Sequence, residues 1–198
     1  MYHYYMFHKP FGCVTACRDD RYPVVMDYFK ELNNPALASV GRLDRETEGL
    51  LIITDDGKWN QKMTHPDYKK EKRYEFTALG ILDAGRIAKL EEGVLLRGSD
   101  KLTSPAKIRV TETSVLKEVL PTLHPEIQAK TSHNRPEHPV VSGTIIITEG
   151  RKRQIRRMMK TVGCCVIALK RVAVDRICLD ENLKAGEWRE LTKEEIAW

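Results

Sequence analysis

The sequence places one carboxylate between two guanidinium groups. Arg42, Asp44 and Arg45 lie in the stretch VGRLDRETEGLLIITDDG, which begins at Val40 and leads into the apolar run Leu50–Ile53. An exposed Asp–Arg pair contributes little to stability because water screens both charges, and an isolated R-L-D-R is most often such a pair. Other parts of the sequence are needed to decide whether Asp44 forms a solvated surface ion pair or is a catalytic carboxylate.

A second concentration of charge lies in RKRQIRRMMK, residues 151–160, where six of ten residues are basic. The segment Arg151–Val162 is predicted to be a helix, and a basic patch of this density is typical of proteins that bind a polyanion, most often nucleic acid. At about 100° per residue, one stripe of this helix is apolar. The stripe consists of Ile155, Met158, Met159 and Val162, and the side roughly opposite carries Arg153, Arg157 and Lys160.

Arg156 falls at the edge of the apolar stripe. A cation in that position usually needs a carboxylate partner, and Asp44 is a candidate. The alternative is an ordinary amphipathic helix whose charges are all solvated, and this explains Arg153, Arg157 and Lys160 better than it explains Arg156.

The composition argues against a membrane-spanning, a secreted and a metal-binding protein. The 198 residues carry a net charge of +5, and no apolar run approaches the roughly 20 residues that a membrane span requires. The N-terminus lacks a charged lead and a small-residue cleavage site, so no signal peptide is expected. Five cysteines without C-x-x-C spacing predict free thiols in a reducing, cytoplasmic setting. The spacing of His124, His133 and His138 matches no metal site, and none is expected.

The predicted elements favour an α+β fold with a largely antiparallel sheet, because strands dominate and several are joined by short turns. Helices are predicted over Pro23–Glu31, Gly57–Thr64, Asp83–Glu91 and Arg151–Val162. Strands are predicted over Tyr2–His8, Leu37–Val40, Leu50–Thr54, Lys72–Leu79, Thr103–Thr111, Val140–Thr148, Cys164–Leu169 and Arg171–Ile177, with a last one from near Glu187. Four prolines in Pro121–Pro139 predict a loop or inserted excursion without regular structure.

Five stretches, in this order along the chain, resemble the RsuA family of pseudouridine synthases, which modify ribosomal RNA. They are HKPFGCV at His8–Val14, GRLDRETEGLLIITDDG from Gly41, KRY at Lys72–Tyr74, EGRKRQIRRMMKTVG at Glu149–Gly163, and GEWREL at Gly186–Leu191. The resemblance implies the α+β pseudouridine synthase catalytic fold, a largely antiparallel mixed β-sheet of two α+β halves with flanking helices and an active-site cleft between them. It implies a single catalytic domain over residues 1–198.

Many family members carry an N-terminal S4 RNA-binding domain. This chain begins almost directly with the K-P-x-G strand, so it resembles the shorter, RluE-type branch, and by analogy this favours RNA of the large ribosomal subunit. Additional RNA contacts are then expected from the catalytic domain, with the Pro121–Pro139 excursion as one source.

The resemblance also implies the reaction. A uridine loses its N1–C1′ bond, the uracil turns while it is held, and C5 bonds to C1′, so neither a redox nor a phosphate cofactor nor a metal is required. Asp44 would be the carboxylate beside C1′, where it could attack covalently or support an electron-poor sugar. Arg156 would pair with Asp44 and lower its pKa. Arg42 would fill the gap that the flipped nucleotide leaves.

Further residues receive roles by the same resemblance. Tyr74 would lie against the flipped uracil and could take the C5 proton, although core packing explains a strand tyrosine equally well. Ile155 would wall the base pocket, and a core position is nearly as good an explanation. Arg45 needs no more than a phosphate contact or solvation. The remaining predicted RNA-binding residues are Lys72, Arg153, Gln154, Arg157 and Lys160.

The leading hypothesis is thus a cofactor-independent monomeric enzyme that acts on ribosomal RNA or a ribosome precursor, away from membranes. A catalytically silent RNA-binding or ribosome-assembly protein is the alternative, but pure binding does not call for a carboxylate aimed at an anionic ligand. A nuclease or glycosidase is a weaker alternative, because the sequence shows neither a second catalytic carboxylate pair nor a metal cluster.

Overall fold

The computed structural model of the chain describes residues 2–16 and 18–197. The strands are β1 (Tyr4–Lys9), β2 (Ala38–Ser39), β3 (Glu48–Thr54), β4 (Lys72–Leu79), β5 (Lys107–Val115), β6 (Pro139–Ile147), β7 (Cys165–Val174), β8 (Ile177–Cys178) and β9 (Trp188–Glu190). The α-helices are α1 (Gly57–Thr64), α2 (Ala84–Glu92), α3 (Leu116–Val119), α4 (Pro125–Thr131), α5 (Gln154–Thr161) and α6 (Lys193–Ile196). Three 3-10 helices cover Val25–Leu32, Pro66–Tyr68 and Leu120–Thr122.

The chain forms two compact units. The first contains Met1–Lys72 and Lys170–Trp198, and the second contains Arg73–Leu169. β1 pairs antiparallel with β3 and β9, β5 with β6, and β7 with β8, whereas β3 and β7 run parallel. The prediction of an α+β fold with a largely antiparallel mixed sheet is confirmed.

In the first unit, β1 lies between β3 and β9, and its alternating side chains fill two different cores. Tyr5 and Phe7 pack against Phe29 of the first 3-10 helix, with ring centroids 5.8 Å and 5.4 Å apart. On the opposite side, Met6 belongs to a cluster with Trp59 and Met63 of α1. β3, predicted to be buried on both faces, is buried from Gly49 to Thr54.

Gly49 allows β3 and β7 to approach closely. It pairs with Arg171 across the parallel ladder, and a Cβ on Gly49 would lie 2.2 Å from the Arg171 carbonyl oxygen. Its φ of +104° is also one that other residues rarely adopt. The strand that follows the Arg42–Asp44–Arg45 segment therefore requires glycine at its second residue.

The second unit arranges its strands in the order β5-β6-β4-β7. Its buried side chains include Phe76 of β4, Ile145 of β6, and the predicted apolar stripe of α5. That stripe is confirmed, because Ile155, Met158, Met159 and Val162 are each no more than 7% exposed.

For some elements, the local sequence predicted the bounds that the structure shows. Helix α1 covers the predicted Gly57–Thr64, and the side chain of Asp56 caps it by accepting hydrogen bonds from the amides of Lys58 and Trp59. Strand β4 covers the predicted Lys72–Leu79. The predicted helix Arg151–Val162 is shorter in the structure, where α5 begins at Gln154.

Three predicted strands are wrong in their bounds. The strand predicted over Thr103–Thr111 is β5, Lys107–Val115. Thr103 instead closes a turn with Val94, donating its amide to the Val94 oxygen and accepting the Val94 amide at Oγ1, both at 2.9 Å. The strands predicted over Cys164–Leu169 and Arg171–Ile177 are one continuous strand, β7, followed by the short β8.

The prediction that Pro121–Pro139 lacks regular structure is also wrong. The segment contains α4, which begins at Pro125. Proline is tolerated in the first turn of a helix because the amide that it lacks would have no intrahelical acceptor there. The ring of His124 caps this helix, accepting the amide of Glu126 at 3.2 Å.

Candidate active site

Asp44 lies in the signature loop, defined here as residues 41–47 between β2 and β3. Its side chain is half-buried, Arg42 is exposed, and Leu43 and Thr47 are buried. The amide of Thr47 donates to the Asp44 carbonyl oxygen at 3.0 Å and closes a turn. Asp44 is therefore presented by a tight turn directly before the buried strand β3.

The ammonium group of Lys9 binds the signature loop from inside the first unit. Lys9 is 0% exposed at the end of β1, and its Nζ donates to the carbonyl oxygens of Thr47 at 2.8 Å, Pro10 at 3.0 Å and Arg45 at 3.4 Å. Two of these acceptors belong to the signature loop, on the C-terminal side of Asp44. A buried cation with three oxygen acceptors fixes the backbone there because each lost contact would leave a buried polar group unsatisfied.

Burial lowers the pKa of Lys9 to about 8, from an ordinary value of 10.5. The neighbouring Cys13, Glu48 and Asp44 act in the opposite direction, and Arg45 adds to the lowering. Desolvation of the charged form thus outweighs the attraction of the nearby acidic groups.

A second segment holds the other side of the signature loop. The Thr15 hydroxyl donates to the Leu43 oxygen at 2.9 Å and accepts the Leu43 amide at 3.2 Å. The amide of Gly12 donates to the Arg45 oxygen at 2.8 Å. The backbone on both sides of Asp44 is thereby fixed before any substrate arrives.

Arg45 packs near two aromatic rings. Its guanidinium carbon lies 4.5 Å from the centroid of Tyr22 and 5.6 Å from that of Phe11, and Nη2 lies 3.7 Å from the Glu46 carboxylate. The side chain is 20% exposed. This packing was not predicted from the sequence, and a phosphate contact by Arg45 stays a prediction.

Two cationic residues of the first unit, Lys72 and Arg171, lie near each other. Arg171 is 3% exposed, and its Nε donates to the Leu50 oxygen at 2.8 Å. Burial lowers the pKa of Lys72, and the nearby Arg171 lowers it further. Lys72 Nζ donates to the Lys70 oxygen at 3.2 Å, and the predicted RNA contact of Lys72 stays a prediction.

In the second unit, Tyr74 of β4 and Ile155 of α5 are 7% and 4% exposed. This burial suits both a core position and a pocket wall, so their predicted substrate contacts stay predictions. Arg156 is half-buried, and its Nη1 donates to the Val166 oxygen at 3.0 Å.

Gln154 takes part in a polar network that shapes the start of α5. Its Nε2 donates to Glu149 Oε1 at 2.7 Å, and its Oε1 accepts the Arg151 amide at 2.9 Å. Glu149 also accepts Nε of Arg151 at 3.2 Å and the amide of Ser104 at 2.9 Å. Gln154 is 4% exposed, so the structure gives its amide a structural use, and an RNA contact by it stays a prediction.

The predicted basic face of α5 is divided by its contacts. Arg153, which precedes the helix with a left-handed φ of 51°, and Lys160 are exposed. Arg157 is half-buried, and its guanidinium donates to the carbonyl oxygens of Arg97 at 2.7 Å and Lys152 at 3.3 Å. Arg157 therefore holds a neighbouring turn, a use that its place in the basic run did not indicate.

The predicted site residues are distributed over both units. Arg42, Asp44 and Arg45 come together in the signature loop, and Lys72 ends the same unit's first segment. Tyr74 belongs to the second unit, as do Arg153, Gln154, Ile155, Arg156, Arg157 and Lys160. The pairing of Asp44 with Arg156 stays a prediction from the sequence motifs.

Within residues 2–16 and 18–197, no group of three or more His, Cys, Asp or Glu side chains could hold a metal ion. Every helix in this part of the chain is too short or too polar to cross a lipid bilayer. Cys13, Cys164 and Cys165 are free thiols, and Cys17 lies outside the described residues.

Comparison with known proteins gives a consistent result. A family model described as RNA pseudouridylate synthase matches residues 3–161. Ribosomal small subunit pseudouridine synthase A of Vibrio cholerae is 36% identical over 98% of this chain and 72% of its own length, and the Haemophilus influenzae protein of that name is 33% identical over the same shares. A solved pseudouridylate synthase structure superimposes with a TM-score of 0.79 at 34% identity, covering 99% of this chain and 73% of that one. The chain therefore belongs to the RNA pseudouridylate synthase family, as an enzyme of the RsuA type that its five motifs indicate.

Proposed function

We propose that this enzyme converts a specific uridine of small-subunit ribosomal RNA into pseudouridine. The observation that carries the proposal is Asp44, a half-buried carboxylate in a loop whose backbone is bound by Lys9, Gly12 and Thr15. The names of the relatives from Vibrio cholerae and Haemophilus influenzae support the small subunit as the source of the RNA. We therefore propose the small subunit in place of the large one, which the resemblance to the shorter branch of the family favoured by analogy.

The chemistry needs a carboxylate in a fixed place. Cleavage of N1–C1′ leaves an electron-poor sugar carbon, which a carboxylate can stabilise or bond to while the uracil turns. When C5 bonds to C1′, the C5 proton leaves and N1 gains a proton, so the product is an isomer of the substrate. A loop that is ordered in advance places Asp44 without an entropic penalty at the moment of reaction.

The other motif residues have supporting roles in this proposal. Arg42, exposed on the signature loop, takes the place of the flipped nucleotide in the RNA stack. Tyr74 lies against the uracil and accepts the C5 proton, and Ile155 forms part of the apolar wall beside it. Arg156 holds Asp44 in its ionised form by charge attraction.

The direct experiment is to incubate the protein, without added metal, with transcripts of small- and large-subunit ribosomal RNA and with precursor particles. Pseudouridine at one position of small-subunit RNA is expected. RNA that is bound but unmodified in every preparation would instead support a catalytically silent assembly protein. Mapping pseudouridines in a strain without the gene would then identify the position.

We further propose that the enzyme acts as a monomer in the cytoplasm. The free thiols of Cys13, Cys164 and Cys165 suit a reducing compartment. Sedimentation of the purified protein alone, at micromolar concentration, tests the monomer.

The role proposed for Arg156 predicts a change in the pH profile. Without the guanidinium, the charged form of the Asp44 carboxylate loses the attraction of an adjacent opposite charge. Because the ionised carboxylate is the working form, Arg156→Met should lose most activity at low pH and recover part of it as pH rises. Initial rates from pH 5 to 9 measure this, and Arg156→Lys should rescue poorly since it lacks the two-pronged geometry.

Arg157→Met is the matched control, because the same change one position along α5 removes a guanidinium that is bound to the Arg97 and Lys152 carbonyls. Its pH profile should keep the wild-type shape. An Arg156→Met profile parallel to wild type at every pH would show that the pairing is wrong.

RNA binding by α5 predicts a salt dependence. Arg153 and Lys160 are exposed there, and Arg157 is excluded because its bonds hold a turn. Arg153→Gln with Lys160→Gln should reduce the slope of log affinity against log salt by about 1.4 to 1.8, from roughly 0.7 to 0.9 per lost phosphate contact. Filter binding at a series of salt concentrations, from about 50 to about 300 mM, measures this slope.

The control for that measurement neutralises two exposed lysines elsewhere in the second unit, Lys89 of α2 and Lys117 of α3. Their replacement by glutamine should leave the slope unchanged. Equal slopes for both double variants and wild type would mean that this part of α5 does not contact phosphates.

A further inference from the structure

Tyr22 is an exposed aromatic residue that is held by the signature loop. It is 41% exposed, and the guanidinium carbon of Arg45 lies 4.5 Å from the centre of its ring. Arg45 follows Asp44 directly in the chain. The ring of Tyr22 is therefore fixed close to the proposed catalytic loop while much of the residue stays accessible.

The segment that carries Tyr22 is bound at both of its ends. At its start, Gly12 and Thr15 make the backbone contacts with Arg45 and Leu43 described above. At its end, the Val14 amide donates to the Pro23 oxygen at 3.0 Å, which brings the two ends of the segment together.

The backbone at Tyr22 is fixed locally as well. Asp19 Oδ1 accepts the amides of Arg21 at 2.8 Å and Tyr22 at 2.9 Å, and these bonds lower the pKa of Asp19. A carboxylate that accepts two successive amides makes a defined turn. The position of the ring thus follows from the fold of the segment as well as from its contact with Arg45.

A large exposed aromatic ring beside a cation is a surface that suits an unstacked nucleobase. Base–aromatic stacking tolerates any base because every base has a π-face, and a neighbouring arginine adds a cation–π contribution. The same segment carries two further exposed cations, Arg18 and Arg21, which suit the phosphates on either side of such a base.

We propose that Tyr22 stacks on an RNA base next to the target uridine and so helps to select an unpaired sequence around it. The inference rests on the proposed function, because the ligand is the same RNA. Tyr22 is a specificity-determining contact in this proposal, whereas Arg45 is the positioning residue that holds its ring.

Exposure alone does not distinguish Tyr22, since single exposed aromatic residues are common on protein surfaces. Tyr68 is more exposed, at 55%, and belongs to the same unit, in the 3-10 helix Pro66–Tyr68. Its ring packs against His65 at a centroid distance of 6.2 Å and has no described contact with the signature loop. Tyr68 is therefore the matched control.

The experiment uses a short RNA stem-loop taken from the modified region, with 2-aminopurine placed in turn at each neighbour of the target uridine. Binding to protein carrying Asp44→Asn, which holds the RNA unreacted, should quench the fluorescence at one of these positions. Adding Tyr22→Ala should abolish the quench, Tyr22→Phe should keep it, and Tyr68→Ala should leave it unchanged. In the active enzyme, Tyr22→Ala should raise KM about tenfold, the usual effect of losing one stacked base, with kcat changed less.

The outcomes separate this inference from the proposed function. An active wild-type enzyme whose Tyr22→Ala variant keeps its KM and its quench would overturn the stacking alone. A wild-type protein that forms no pseudouridine in any ribosomal RNA would overturn the proposed function, while a quench that still depends on Tyr22 would leave the base contact standing. A quench lost equally in Tyr22→Ala and Tyr22→Phe would show that the hydroxyl, and not the ring, makes the contact.

Discussion

Asp44→Asn is expected to lower the rate of pseudouridine formation by at least about a thousandfold, or roughly 4 kcal/mol of transition-state stabilisation. The amide has nearly the same size as the carboxylate but cannot carry the charge that an electron-poor C1′ requires. The turn should persist, because the bonds that hold it join the backbone of Leu43, Arg45 and Thr47 to Thr15, Gly12 and Lys9. Single-turnover rates on small-subunit RNA, with RNA affinity measured beside them, test both halves of this expectation.

Glu46→Gln is the matched control, because Glu46 is a carboxylate two residues further along the same loop, beside Arg45. Its activity should stay close to wild type. Asp44→Ala excludes conversion of the introduced asparagine back to aspartate. Substantial turnover by both Asp44 variants would contradict the role proposed for this carboxylate.

The second large effect concerns Lys9 and stability at alkaline pH. The pKa of Lys9 is lowered from 10.5 to about 8 by burial, so the unfolded chain binds its proton more tightly than the folded one does. Stability therefore rises with pH between about 8 and 10.5 as the buried charge is lost, and below pH 8 the full penalty of burial applies. A difference of this size corresponds to about 3 kcal/mol.

Lys9→Met removes this titration. The free energy of unfolding of wild type minus that of Lys9→Met should thus increase by about 3 kcal/mol from pH 8 to pH 10.5, since other titrating groups contribute equally to both proteins. Urea unfolding at a series of pH values measures the difference. Lys58→Met, a change to an exposed lysine of α1, should give a curve parallel to wild type, and a parallel curve for Lys9→Met would contradict the assignment.

Elements with strong local signals were predictable from the sequence. Helix α1 has Asp56 as its cap and ends before Pro66, and β3 is an unbroken apolar run. Each of these signals acts within a few residues, so tertiary context had little to override. The motif of the signature loop could be recognised in the same way, because its residues are consecutive in the chain, and the catalytic role of Asp44 stays a prediction.

Residues whose surroundings come from distant segments could not be predicted. Lys9 reads as a surface lysine at the end of a strand, and only the fold brings the Arg45 and Thr47 carbonyls to its ammonium. Its place before Pro10 in the K-P-x-G stretch was the available signal, but that stretch was used only as a family mark. Arg157 was likewise predicted to bind RNA, because its acceptor, the Arg97 oxygen, lies 60 positions earlier and nothing near Arg157 in the sequence indicates it.

Thr103 and Pro125 show a different reason. Thr103 has high strand propensity, but its hydroxyl accepts a hydrogen bond from the Val94 amide, and this bond stabilises a turn at Thr103. Pro125 was counted as a helix breaker, although it stands in the first turn, where it does no harm. In both cases a residue's average preference was overruled by its position relative to its neighbours.

The division of the chain has a consequence for synthesis. The second unit, Arg73–Leu169, is one uninterrupted stretch, whereas the first unit is assembled from residues on both sides of it. β1 pairs with β9, so one edge of β1 has no partner strand until β9 has been translated. Until Trp188 is made, Tyr5 lacks the ring that packs 5.1 Å from its own. While the residues between β1 and β9 are being synthesised, the growing polypeptide thus carries an open strand edge beside aromatic side chains, a combination prone to intermolecular association.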